Sequence, residues 1–277
     1  MSIDYEKEYD NRGRVPESAA IMQRWSAAAR SACASTNATL DLRYGASERH
    51  RYDLFASGQA DAPLAVYIHG GYWQRGDRKD YAFVAPALNA RGIDVAIPSY
   101  SLCPAVPIST IITEMRELLL TLWKAKKRRA AIVGHSAGGH LAAAMLATNW
   151  QSIADAPSDL VRGAYAISGV FDLPPLINTS LNAALQLNAD AARAASPLFW
   201  QPPPSSAHMI AAVGGLESAE FLRQSLDLAE CWSRAGVKAE CVVVPATNHF
   251  TIVDELTRVD SAIVARVIGL AAISQYD

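Results

Sequence analysis

Long apolar runs are missing from this chain of 277 residues. The nearest to one, Val259–Ile273, is interrupted by Asp260 and Arg266. A membrane span of about 20 apolar residues is therefore not expected. The N-terminal stretch Met1-Ser2-Ile3-Asp4-Tyr5-Glu6-Lys7-Glu8 is charged and has no apolar centre, so it does not read as a secretory signal. Cysteine is scarce: Cys33, Cys103, Cys231 and Cys241 are scattered, with no C-x-x-C spacing. That argues against a disulfide framework and for ordinary thiols in a reducing compartment. An excess of one charge is also lacking, with 25 basic and 27 acidic residues and a formal net charge of −2. Neither nucleic acid nor a membrane surface is an expected partner. The one basic run, Lys124–Arg129, closes an apolar helical segment, where cations favour a helix C-terminus. Among His69, His135, His140 and His249 no pair has i, i+4 spacing and no cysteine accompanies them, so no metal is expected. Repeats and low-complexity linkers are absent as well. The expectation is a soluble, cytoplasmic protein with one domain spanning residues 1–277; a homo-oligomer is compatible with the sequence but not specified by it.

What the chain has is apolar content, 51% of its residues, enough for a sizeable core. Residues 1–14 are polar and read as extended. Pro16 introduces an alanine-rich helical stretch, Glu17–Cys33, with apolar Ile21, Met22 and Trp25. Leu40–Tyr44 and Arg51–Ala56 alternate polar and apolar residues, as antiparallel strands do. From Leu64 the pattern changes to continuous apolar runs, the mark of strands buried on both faces. Strands are predicted at Leu64–Ile68, Ile93–Ile97, Ala130–Val133, Gly163–Ile167, Met209–Val213 and Ala239–Val244. Helices are predicted at Tyr81–Ala90, Ile108–Ala125, Gly138–Thr148, Ala219–Ala235 and Ile252–Ala271. Such alternation gives an α/β fold, a mostly parallel sheet with helices on both faces. The irregular, proline-containing block Phe171–Pro204 is long for a connection and is expected to be a lid-like, substrate-facing insertion.

Chemistry concentrates in Ala131-Ile132-Val133-Gly134-His135-Ser136-Ala137-Gly138-Gly139-His140-Leu141. Within it Gly134, Ser136 and Gly138 form G-x-S-x-G between an apolar strand and a helical run. That context places a serine on a strained strand-to-helix turn with its hydroxyl exposed above the sheet. The turn drives the serine to positive φ, and glycines two residues away avoid collision as the chain doubles back. A serine hydroxyl needs an adjacent base. His249 follows the last predicted strand and is the candidate. The base needs a carboxylate to fix its tautomer and stabilise the imidazolium. Glu217, after the strand Met209–Val213, is the first choice, Asp172 the second and Asp254 the third. Asp172 reads more readily as a helix cap, and Glu217 has its own alternative as a charge at the start of a helix. An oxyanion needs main-chain donors, assigned to Gly70 and Gly71 in His69-Gly70-Gly71-Tyr72-Trp73 and to Ala137 after the serine. His69 is read as a brace for that loop. Tyr72 and Trp73 are candidates for an aromatic pocket wall, with a role as plain core residues equally open.

These stretches together resemble the α/β-hydrolase superfamily, and within it the arylformamidase group (kynurenine formamidase) with its esterase relatives. The likeness rests on His69–Trp73, Gly134–Leu141, Ser168-Gly169-Val170-Phe171-Asp172-Leu173, Ser218-Ala219-Glu220-Phe221 and Asn248-His249-Phe250, and extends to Tyr9-Asp10-Asn11-Arg12. The resemblance implies an α/β-hydrolase fold and a triad of Ser136, Glu217 and His249. It departs at Glu217, where the family usually has Asp. It implies hydrolysis, without a cofactor, of a small-molecule amide or ester substrate: an aryl formamide such as N-formyl-kynurenine, or a carboxylic ester. A catalytically silent binding module on the same fold is the remaining alternative, since fold alone does not fix function.

Overall fold

The computed structural model describes residues 3–34 and 37–275. Met1 and Ser2, part of the stretch read as extended, lie outside the described residues. Eight strands form one sheet: β1 (Ala38–Arg43), β2 (Arg51–Phe55), β3 (Leu64–Ile68), β4 (Asp94–Pro98), β5 (Ala130–His135), β6 (Gly163–Ile167), β7 (His208–Gly214) and β8 (Lys238–Val244). Their order is β1-β2-β4-β3-β5-β6-β7-β8. β1 and β2, and β2 and β4, pair antiparallel; all other neighbours are parallel.

The continuous apolar runs follow from helices covering both faces. Along β3, Leu64, Val66 and Ile68 join one core and Ala65 and Tyr67 the other. β5 divides likewise, Ile132 to one side and Ala131 and Val133 to the other. Helices Ile108–Lys126, Ala137–Leu146 and Ala219–Arg234 contribute to the first core; Ser18–Cys33, Ala85–Asn89 and Ala262–Gln275 contribute to the second. The basic run is absorbed structurally: the helix stops at Lys126, Arg128 pairs with Asp94 and Arg129 with Asp159.

Three expectations are corrected. Residues 3–14 are not extended but fold into two short helices, Tyr5–Tyr9 and Asn11–Arg14. The Asp4 and Asp10 side chains cap their amides, and Tyr9 is buried against Phe221. Local polarity thus yields to capping and a distant packing partner. The predicted helix Ile252–Ala271 is broken into Thr251–Asp254, a 3₁₀ turn at Glu255–Thr257 and Ala262–Gln275. Ser261 accepts from the Val264 amide and starts the last helix afresh. Asp172 caps no helix; it pairs with Arg223 at 2.9 Å.

The chain leaves β3 towards β4 on one side and returns to β5 on the other. The crevice at the carboxyl ends of β3 and β5 is therefore a topological switch point, where open α/β sheets bind ligands. The loop beginning at His69 and the turn at Ser136 both sit there. The block 171–204 carries four short helical pieces, Pro174–Asn178, Asn182–Leu185, Ala189–Ala194 and Pro197–Phe199. Its Thr179, Ser180 and Leu181 reach the cavity described next.

Candidate active site

Ser136 stands between β5 and the helix Ala137–Leu146 with φ 57° and ψ −118°. This is the left-handed backbone that costs a residue with a Cβ about 1–3 kcal/mol. The reason for the flanking glycines is visible in the contacts. A Cβ on Gly134 would lie 2.0 Å from the Gly138 carbonyl oxygen, and one on Gly138 would lie 1.9 Å from the carbonyl oxygen of Ile68. Only glycine lets the turn close.

His249 and Ser136 open onto the same cavity, about 510 Å³ in volume. Nδ1 of His249 lies 2.7 Å from Oε2 of Glu217. A carboxylate oxygen accepts, so the proton sits on Nδ1 and Nε2 is the free, basic nitrogen. The other carboxylate oxygen of Glu217 accepts from the Ser168 hydroxyl at 2.6 Å and from the Gly214 amide at 2.7 Å. Three donors thus fix one carboxylate whose side chain is fully shielded. The longer Glu in place of Asp is accommodated by the turn after β7, where Glu217 N donates to the Gly214 carbonyl. The alternatives are engaged elsewhere: Asp172 by Arg223, and Asp254 by Arg24 at 2.7 Å and the Trp25 indole at 2.6 Å.

Gly70 packs directly against the serine turn. A Cβ on it would lie 2.8 Å from the His135 carbonyl oxygen and 3.0 Å from the Ser136 Cβ. Gly71 lines the cavity with φ +117°. Ala137 is buried in the first turn of its helix, whose amides have no intrahelical partner. His69 is stacked between Tyr81 and Tyr100, at 5.4 and 4.3 Å between ring centroids, and its Nδ1 donates to the Gly70 carbonyl. Burial holds it neutral, down at about 4. It braces the loop, as read from the sequence.

The two aromatic candidates separate. Tyr72 lines the cavity; its hydroxyl donates to the Tyr9 carbonyl at 2.7 Å and accepts from Asn11. Trp73 does not line it. It is fully buried, edge-on to His140 at 4.9 Å, and is a core residue. Tyr72 at φ 51° and Trp73 at φ 56° are successive residues with positive φ.

Sequence reasoning missed three contributors. Ser168, at φ 50° beyond β6, holds Glu217; its stretch was quoted for the family resemblance, but no role was read from it. His135 donates from Nε2 to the His249 carbonyl at 2.8 Å, holding His249 through its main chain. Burial, and then the neighbouring His249, press the His135 ring well below its ordinary value, so it stays neutral. The third is the N-terminal segment, whose Glu6, Tyr9, Asp10, Asn11 and Arg12 wall the cavity.

The family model for the alpha/beta hydrolase fold matches residues 65–253. This chain belongs to the α/β-hydrolase family. It is a hydrolase of the arylformamidase-like kind: a kynurenine formamidase of Danio rerio is 30% identical over 229 residues, 80% of this chain and 78% of that protein. One from Drosophila melanogaster is 32% identical over 238 residues, 81% and 78% of the two chains. A crystal structure from Silicibacter sp. TM1040, of a protein provisionally assigned as a thioesterase, superposes with a TM-score of 0.87 at 34% identity, covering 97% of this chain and 100% of that one. Among the described residues no helix is long and apolar enough to cross a membrane.

Proposed function

We propose that this hydrolase cleaves a small aryl formamide of the N-formyl-kynurenine type, with Ser136 as nucleophile, His249 as base and Glu217 as acid. The observation that carries the reading is the 2.7 Å bond from His249 Nδ1 to Glu217, with His249 and the Ser136 elbow facing one cavity. The names of the relatives from Danio rerio and Drosophila melanogaster support the substrate class. The cavity volume falls in the range of small-molecule sites, about 300–1,000 Å³.

In the proposed reaction Ser136 Oγ attacks the formyl carbon while His249 Nε2 takes its proton. The developing oxyanion rests on the amides of Gly70, Gly71 and Ala137. His249 returns the proton to the departing aryl amine, the C–N bond breaks, and a formyl ester remains on Ser136. Water, activated by His249, hydrolyses that ester and releases formate. No metal or organic cofactor takes part in these steps.

The solved relative assigned as a thioesterase, together with an esterase among the relatives, favours a second reading, a carboxylic ester or thioester hydrolase using the same residues. Rates on N-formyl-kynurenine and p-nitrophenyl acetate, measured side by side, separate the two. A kcat/KM for the formamide at least tenfold above the acetate supports the first reading, and the reverse order supports the second. Absence of Ser136 labelling by a fluorophosphonate probe would overturn both.

A further inference from the structure

The helix Ala137–Leu146 is buried along its whole length and carries a single polar side chain, His140. Its amide donates to the Ser136 carbonyl at 3.0 Å, which places it one turn after the elbow. Its Nε2 lies 2.7 Å from the Ala195 carbonyl, at the end of the helix Ala189–Ala194 in the 171–204 block. A carbonyl only accepts, so the ring proton sits on Nε2 and Nδ1 keeps a lone pair. Burial presses the ring from 6.5 to about 4, so it stays neutral. Its other polar neighbour is Trp73, whose ring meets it at 4.9 Å between centroids and at 90°.

Three segments therefore meet at one imidazole: the helix that starts with Ala137, the loop that carries Gly70 and Gly71, and the 171–204 block. Loop and block touch a second time, where Gln74 Nε2 donates to the Leu181 carbonyl at 3.1 Å. Gly71 and Leu181 both line the cavity; His140 does not, so it is placed to act through its neighbours. A buried imidazole is costly unless it is bonded, and the bond to Ala195 offsets that cost. Trp73 Nε1 and His140 Nδ1, a donor and an acceptor in the same ring contact, are both buried without a hydrogen-bond partner among the described residues. That complementarity favours a loop lying close against the helix.

We propose that His140 is a positioning residue for the oxyanion site: held by Ala195 and packed on Trp73, it fixes the spacing between the loop amides of Gly70 and Gly71 and the helix amide of Ala137. The inference rests on the serine-hydrolase reading, in which those amides hold the developing oxyanion, and adds what keeps them in register. Donors from two separate segments stabilise a developing charge well only when their spacing is set in advance. Without the bond to Ala195 the ring is free to rotate, and Trp73 loses the surface that stops the loop. Substrate bound along the cavity walls does not depend on that spacing. The loss should therefore fall on kcat and on the binding of a transition-state analogue, and leave KM nearly untouched.

The test compares H140Q, H140N and H140F with wild type and S136A, all as the full chain, on p-nitrophenyl acetate. Inhibition by an aryl trifluoromethyl ketone, which adds to a serine as a tetrahedral adduct, is measured alongside. Glutamine sets its amide nitrogen near the place of Nε2 and reaches Ala195; asparagine is too short, and phenylalanine keeps the ring without the bond. H140N and H140F should lose about tenfold or more in kcat, with KM within about twofold and the inhibition constant raised in proportion to KM/kcat. H140Q should recover most of the loss in both readouts. Circular dichroism checks each variant, and the glutamine–asparagine pair decides the matter if H140F does not fold. A kcat for H140N within about twofold of wild type, equal losses in H140Q and H140N, or a loss carried by KM with inhibition unchanged overturns the positioning role. Turnover that survives in S136A overturns the serine reading instead, so the two failures are distinguishable.

Discussion

Replacing Glu217 by Gln tests the proposed acid most sharply, because the structure dictates how the amide must sit. In the native site one carboxylate oxygen takes two donors, Ser168 Oγ at 2.6 Å and Gly214 N at 2.7 Å, and the other takes His249 Nδ1 at 2.7 Å. A glutamine has one oxygen and one NH₂. With the oxygen towards Gly214, the NH₂ meets His249 Nδ1 and forces that nitrogen to accept, which moves the ring proton to Nε2 and removes the base. With the oxygen towards His249, the NH₂ faces the Gly214 amide, and a buried donor loses its acceptor at a cost of about 1–3 kcal/mol. The first arrangement wins, since the Ser168 hydroxyl can rotate but the amide cannot. Recovering the working tautomer then costs about 1–3 kcal/mol, roughly 5- to 150-fold in rate. Loss of the charged partner of the imidazolium adds about 1.5–3 kcal/mol. Together kcat should fall by about 10²–10⁴; a comparable Asp→Asn change in a serine protease costs roughly 10⁴. The assay is kcat on an activated ester, with fluorophosphonate labelling of Ser136 as an independent readout and circular dichroism as a check of folding. A folded E217Q enzyme within tenfold of wild type would refute the reasoning, above all if D172N were crippled.

Ser168→Ala removes one of the three donors on the Glu217 carboxylate; kcat should drop about 10- to 150-fold with KM unchanged, the difference one hydrogen bond to a charge makes, and steady-state kinetics checks it. Gly70→Ala places a methyl 2.8 Å from the His135 carbonyl oxygen, so the loop must retreat from Ser136; a loss of about 10² or more in kcat is expected, as for a lost oxyanion donor. Burial holds His69 and His140 at about 4 and presses His135 well below its ordinary value. The unfolded chain therefore binds more protons between those values and the free histidine value of about 6.5, and stability falls as pH drops from about 6.5 through 4. His69 and His140 should each contribute on the order of 3 kcal/mol to that loss. Urea midpoints at pH 7.5, 5.5 and 4.5 follow it; H140Q should flatten the slope, and a midpoint independent of pH would contradict the assignment.

The sheet was legible because burial on both faces leaves a plain mark. Leu64–Ile68 and Ala130–Val133 have no polar residue to hide, and both lie in strands of the structure. The placement of Ser136 was legible because its turn needs glycine at 134 and 138, and that of His249 and Glu217 because each follows a strand in the expected order. The misses share a cause: they depend on contacts between distant segments. Residues 3–14 look like a solvated tail until Tyr9 meets Phe221 and Glu220, more than 200 positions away. Trp73 is adjacent to Tyr72 and alike in chemistry, yet one turns to the cavity and the other to the core. Periodicity has nothing to say there, because successive left-handed residues follow neither a strand nor a helix repeat. The break at Arg258–Ser261 was hidden by apolar residues on both sides, although Asp260-Ser261 is a reasonable helix start.

Strain and support are distributed unevenly in this molecule. Tyr72 and Trp73 after β3, Ser136 after β5 and Ser168 after β6 all adopt positive φ. Three adjacent strands thus end in left-handed turns at the same edge, and each turn brings a site group into play: a cavity wall, the proposed nucleophile and the hydroxyl that holds Glu217. Such conformations persist only where the surroundings over-determine them. Here the surroundings are β3, β5 and β6, buried along their whole length. The N-terminal wall is built differently. Glu6 to Ser180, Glu8 to the Glu220 amide and Tyr9 to Tyr72 are polar links, the first of them exposed. A floor of buried strands carries the groups proposed to do the chemistry, and a hydrogen-bonded wall carries the N-terminal lining of the cavity. On the proposed function, the chemistry and the fit of the substrate would rest on separate parts of the chain, and a change in the wall should alter KM more than kcat.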